Sequence, residues 1–238
     1  SRAAGSLSST PTFGTSVNVK YTGSTPVTTG PELPTATSVL SNLTINNSGG
    51  VTLSQNQTAN GNLALNSGDL DTGAFTLTMP NTATSSGITD AVGNVKRTGP
   101  FTAGTAYSFG NPFVSINFAS GGTQPSDMTI NLVKSVPPSY PSAATRTYTV
   151  TPNGGSGYTA TLRLHYLDFE LNGNPEASLD LWRYDGAQWL QQPSTAADTI
   201  DNWVERSGVT QFSPWAIASP PATPSPPDST TRTPSAST

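Results

Sequence analysis

A short internal repeat limits what this chain can fold into more than any other feature. Residues 41–60 (SNLTINNSGGVTLSQNQTAN) and 61–80 (GNLALNSGDLDTGAFTLTMP) align at a spacing of 20 residues. The alignment sets Asn42 on Asn62, Leu43 on Leu63, Ile45 on Leu65 and Asn46 on Asn66. Within each copy, apolar residues alternate with Thr, Ser or Asn, as in Leu43/Ile45, Val51/Leu53 and Phe75/Leu77/Met79. That is the period of a strand with one buried face. Asn47-Ser48-Gly49-Gly50 and Ser67-Gly68-Asp69 supply the turns between the runs. Two short strands with Asn/Gly corners fit one coil of a parallel β-solenoid, in which each coil buries its apolar face on the next. With only two visible copies, a meander of β-hairpins stays open as the alternative.

Outside the repeat, Val17, Val19 and Tyr21 form a first strand pattern, and residues 1–15 carry no period. After Met79 the pattern fades, to resume at Gly93-Asn94-Val95, which echoes Gly61-Asn62-Leu63. From Phe101 the chain is rich in aromatics. Strand-like runs then recur at 146–151, 158–166, 178–184, 188–191, 203–209 and 212–218. Turn residues separate them, and Asp185-Gly186 between Tyr184 and Gln188 marks a hairpin. Such spacing reads as an antiparallel β-sandwich. The clearest run puts Tyr158, Ala160, Leu162, Leu164 and Tyr166 on a buried face and Thr159, Thr161, Arg163 and His165 on a wet one. The expectation is an all-β chain: an extended arm (1–15), a solenoid-like region (16–92), a sandwich (93–218) and a Pro/Ser/Thr-rich tail (219–238).

Composition removes several function classes. Charged residues make up 10% of the 238 residues, against about 25% in ordinary soluble proteins, so the surface carries little field. A net charge of −4 without a basic stripe argues against a nucleic-acid binder. With no cysteine there is no disulfide, thiolate metal site or cysteine nucleophile. No apolar run is long enough to span a membrane. The opening at Ser1, without Met or an apolar leader, is expected of a processed or excised chain.

Candidate chemistry is sparse. The single histidine, His165, lacks a Gly-x-Ser-x-Gly partner motif for a triad. Asp69 and Asp71 read as turn residues. Asp168, Glu170, Glu176 and Asp180 could supply an acid pair for glycoside hydrolysis, with Asp168 and Glu170 alternating on one strand face. Asp168-x-Glu170-x-Asn172-Gly173 also imitates the start of a calcium loop, although Leu179 stands where an EF-hand needs its Glu. Asp168, Glu170 and Asn172 are therefore the metal candidates, calcium is the one candidate cofactor, and no catalytic residue is expected. Trp182, Trp189, Trp203 and Trp215 fill a core or stack on sugars, the former being usual in a sandwich. Asn42, Asn46 and Asn56 match the N-glycosylation sequon, and Thr223, Ser225, Thr233 and Ser235 beside prolines are O-glycan candidates. The tail reads as a flexible linker, or as an extended arm on a neighbouring subunit.

The run from Asn42 to Met79 resembles the β-strand repeats of large secreted bacterial surface proteins. RTYTVTP, GYTATLRLHY, EASLDLWRYDGAQW and GVTQFSPWAIA resemble the module that follows such repeats. The resemblance covers about residues 16–219 and implies an exported, cell-surface structural role with no catalytic residues carried over. Such proteins usually have many repeats and an anchor domain, and this chain shows two repeats and a Pro/Ser/Thr tail. The expected function is a non-enzymatic subunit of an extracellular filament or surface layer, self-associating through β edges and terminal arms. A glycan-binding adhesin module is the alternative.

Overall fold

In a computed structural model the described residues are 1–221, and their regular secondary structure is almost wholly strand. The first nine are β1 (Val17–Gly23), β2 (Val27–Thr28), β3 (Leu40–Asn47), β4 (Val51–Thr52), β5 (Gln57–Thr58), β6 (Asn62–Ser67), β7 (Leu70–Pro80), β8 (Thr84–Gly87) and β9 (Ala91–Thr98). They pair in parallel and fall into two sheets by turns, β4 and β5 both lying beside β7 in the second. One has the order β1-β3-β6-β8; in the other β2, β4, β7 and β9 lie side by side. This is solenoid-like stacking, with four coils instead of the two legible in sequence.

Register explains why only the middle coils are recognisable. Val19 pairs with Leu43, Leu43 with Leu63 and Leu63 with Ser85; the next ladder runs Tyr21, Ile45, Leu65 and Gly87. The repeat spacing is conserved between β3 and β6, but the last coil replaces leucines by Ser85 and Gly87 and so loses its apolar signature. Gly87 has a φ of +103°, and a Cβ there would overlap the carbonyl of Leu65, so the close approach of coils requires glycine. The Gly93-Asn94-Val95 echo belongs to the other sheet, where Val95 pairs with Leu77 and not with the Leu63 ladder.

A polar ladder runs beside the apolar ones. Asn18 Oδ1 accepts from Asn42 N (3.0 Å) and Nδ2 (2.9 Å), and Asn42 Oδ1 from Asn62 N at 2.7 Å; Asn62 Oδ1 accepts from Thr84 Oγ1 at 3.0 Å. Asparagine recurs at these positions because its amide can both donate and accept between coils.

The remaining strands are β10 (Ala106–Phe109), β11 (Asn111–Phe118), β12 (Asp127–Val133), β13 (Thr147–Asn153), β14 (Ala160–His165), β15 (Asp180–Tyr184), β16 (Trp189–Gln192), β17 (Ala196–Asp198), β18 (Trp203–Val209) and β19 (Pro214–Ala218). They pair antiparallel. β9, which spans the 92/93 division expected from sequence, is the hinge of the design. It lies parallel to β7 on one side and antiparallel to β12 on the other. One ten-stranded sheet therefore runs unbroken from the solenoid into the sandwich, facing the five-stranded sheet β10-β11-β14-β18-β17. The main core is continuous through both halves, from Val19 to Ile217.

Charge is buried where the halves meet. The Arg146 guanidinium, fully buried, pairs with Asp90 Oδ2 at 2.6 Å and with Glu170 Oε2, and donates to the Tyr148 hydroxyl at 2.9 Å. Lys134 Nζ reaches Asp90 (2.8 Å) and Asp69 (2.6 Å). His165 Nδ1 lies 3.5 Å from Asp90 Oδ1. His165 is thus buried, contrary to its expected place on the wet face. At the end of β14 that face is covered by Phe113, whose ring lies 6.1 Å from the imidazole, and by the charge cluster.

Burial by itself would raise the Asp90 pKa, but the contacts from His165, Arg146 and Lys134 more than offset it and hold the carboxyl far below the usual carboxylate range. A depressed folded-state pKa contributes stability that is present above the unfolded value, about 3.9, and is lost as pH falls below it. Urea unfolding from pH 7 to pH 2 should show a decline beginning near pH 4, and Asp90→Asn should flatten that limb. At pH 7, Arg146→Met, which leaves two carboxylates buried, should cost about 3–5 kcal/mol.

Candidate functional site: an aromatic groove on the outer sheet face

The β15–β16 hairpin builds the most distinctive surface. Trp182 and Tyr184 are two residues apart on β15 and so share a face; Trp189 on β16 is the direct partner of Tyr184. Leu181, between them, points into the core. The opposite side of the sheet thereby acquires an aromatic layer on a floor of small residues, Ala143, Ala216 and Ala218. Ala216 pairs with Trp182 across β15 and β19.

Tyr140 completes the layer. It comes from the loop Val136-Pro137-Pro138-Ser139-Tyr140-Pro141, which is turned by a Tyr140 N to Pro137 O hydrogen bond of 3.2 Å. Its ring meets Trp182 edge-on with centroids 5.2 Å apart, and lies 5.8 Å from Trp189; Tyr184 and Trp189 are 5.3 Å apart. Both indole N–H groups are engaged by backbone, Trp182 donating to Ala218 O (3.0 Å) and Trp189 to Pro138 O (3.2 Å). The rings are thereby fixed in orientation. Between them runs a groove of about 370 Å³, flanked by Gln188 and Pro221. Desolvation, followed by the charge of Asp180, pushes the Tyr140 phenol up to about 12, so it is neutral and able to donate throughout the ordinary pH range. An apolar floor, rigid ring faces and a polar rim suit stacking on flat or ring-shaped ligands.

The tryptophans divide accordingly. Trp215 is fully buried in the core, Trp182 and Trp189 form the groove, and Trp203 lies under the Arg163 guanidinium at 3.7 Å. The alternation Leu181/Trp182/Arg183/Tyr184 held the signal that two large aromatics face away from the leucine side.

The expected acid sites do not assemble. Residues 168–170 form a 3₁₀ turn, not a strand, so Asp168 and Glu170 do not share a face. Asp168 accepts from Asn202 Nδ2 (2.5 Å), Glu170 binds Arg146, and Asn172 donates to the carbonyls of Pro141 and Ala143. Glu176 accepts from the Tyr166 hydroxyl and Asp180 from Gln191. Among the described residues no group of three or more His, Cys, Asp or Glu side chains is placed to hold a metal. Asp71 makes the expected turn contact with Gly73 N, whereas Asp69 instead binds Lys134 and Asp90 N.

Chemically the Asp90–Arg146–His165 cluster is the richest, but it is closed: the void beside Asp90 has no room for a water molecule. Of the sequon asparagines, Asn46 and Asn56 are exposed, Asn56 accepting from Thr76 N, while Asn42 is held in the coil ladder. Thr223, Ser225, Thr233 and Ser235 lie outside the described residues.

The fold is that of an all-β protein in which parallel, solenoid-like coils continue into an antiparallel sandwich. Comparison with protein-family models, curated proteins and solved structures finds no match.

The division of the tryptophans has a measurable consequence. Trp215→Ala should cost about 3–5 kcal/mol in urea unfolding. Trp189→Ala, at the rim, should cost clearly less and leave the far-ultraviolet circular dichroism unchanged.

Proposed function

We propose that this chain is a non-catalytic structural module of an extracellular bacterial surface assembly, a filament or a surface layer. The observation that supports this reading most directly is the first coil. At the solenoid's far end β12 continues one sheet from β9 and the other stops at β8, whose ladder positions are Ser85 and Gly87. At the near end, by contrast, the apolar ladder runs out at Val19 and Tyr21 on the edge strand β1. Beside β1 lies a groove of about 600 Å³, lined by Leu7, Phe13, Val17 and Val19. Such an end accepts a further strand or coil, and a head-to-tail contact that does not close propagates as a fibre. The scarcity of charge fits the same reading, since edges are ordinarily protected by charged residues.

Residues 1–15, expected to be an intersubunit arm, have a local role as well. Arg2 pairs with Tyr21 as an extra edge residue, and its guanidinium bonds Glu32 Oε1 at 2.5 Å, so the segment caps its own first coil. Assembly would use the groove between this cap and β1. The other edge strands are shorter than the seven residues of β1: β2 has two, β17 three, and β8, β10 and β16 four each.

Electron microscopy with sedimentation should show regular assemblies that are lost in the Leu7→Asp, Phe13→Asp double variant while its circular dichroism is retained. Dispersed particles at all concentrations would refute the reading.

The aromatic groove favours a second reading, a glycan-binding adhesin module, because ring faces beside polar groups stack on sugars. A broad glycan array should then give binding that Trp189→Ala removes; an array without signal would count against it.

A further inference from the structure

We propose that the aromatic groove docks the chain's own proline-rich segment, Pro221–Pro227. This inference stands apart from the assembly reading. It starts from the route of the chain. β19 ends at Ala218, whose carbonyl accepts the Trp182 indole N–H, and Pro221 already flanks the groove. The described chain thus ends at the aromatic rings.

The sequence from Pro221 onward has the period such a groove reads. In Pro221-Ala222-Thr223-Pro224-Ser225-Pro226-Pro227, prolines recur at 221, 224 and 227. A polyproline helix has three residues per turn, which puts these three on one face about 9 Å apart. That is comparable with two steps along the series Tyr184, Trp189, Tyr140 and Trp182, whose neighbours are 5.2–5.8 Å apart. Proline-rich segments dock on aromatic-lined grooves by laying proline rings on the aromatic faces. With both indole N–H groups already engaged by backbone, the ring faces and the Tyr140 and Tyr184 hydroxyls are what the segment would meet. The groove already holds one proline-rich segment, Trp189 donating to Pro138 O in the loop that carries Tyr140. The rim residues add no charge that would oppose an uncharged strand: Ser139, Ser142, Gln188 and Ser219 line it. Because the segment is tethered at the groove, its effective concentration there is on the order of millimolar, enough to fill a site of modest affinity.

Docking also bears on Thr223 and Ser225. With the prolines facing the rings, both lie on the outer faces of the docked helix, where O-linked sugars would be accommodated.

The absence of cysteine from the chain makes a direct test simple. In the full chain, Ser225→Cys labelled with bimane, a fluorophore quenched on contact with tryptophan, should be dim. It should brighten several-fold when Pro221, Pro224 and Pro227 are changed to Ser, and again in the Trp189→Ala background, with circular dichroism unchanged in each. Quenching that ignores the proline substitutions would mean random collision and would overturn the proposal. Brightening on simple dilution of the labelled protein would assign the groove to the tail of a second copy and would overturn it equally.

Discussion

The buried guanidinium of Arg146 is the constraint on which the union of the two halves depends. Removing such a group from water costs several kcal/mol, and that cost is recovered only if every proton finds a partner. Here the partners come from different parts of the chain: Asp90 from the turn before the last solenoid strand, Glu170 from a 3₁₀ turn in the sandwich, and Tyr148 from β13. None can move independently without stranding a charge. Lys134 ties Asp69 to the same cluster, reaching one coil further back. The solenoid and the sandwich are therefore locked in one relative arrangement, reinforced by the shared strand β9.

Away from that junction the structure is held by repetition. Apolar ladders and the Asn18–Asn42–Asn62 amide ladder each need neighbouring coils in register, and Gly87 lets the last coil approach. At the N-terminal end the ladders stop, and Arg2 and Glu32 provide a local cap. On the sandwich, large aromatics lie outside the sheet on an alanine floor, an arrangement the core does not require. These two places, the unfinished coil and the aromatic layer, are where the molecule has structure beyond its needs for folding, and both proposed interactions rest on them.

Much of the fold was legible from residue periodicity. The 20-residue spacing foretold the Leu43/Leu63 and Ile45/Leu65 pairings, and the alternation from Tyr158 to Tyr166 identified the buried face of β14. Other parts were illegible for definite reasons. The fourth coil, with Ser85 and Gly87 in its ladders, carries no apolar pattern. Alternation assigned His165 to solvent because a strand's period describes its own two faces and not what another segment lays over them. Asp168 and Glu170 were read as strand neighbours because three residues are too few to distinguish a 3₁₀ turn. Arg146 looked like the start of a strand; nothing local marks an arginine for burial.

The sequence by itself determined the class of structure, since strand period, turn residues and repeat spacing are local properties written into neighbouring positions. Tertiary structure decided where the chain's few charges meet, that β9 joins the two halves, and that Tyr140 reaches Trp182 and Trp189. Those contacts join residues dozens of positions apart, and they exist only once the sheets fix the distance between them.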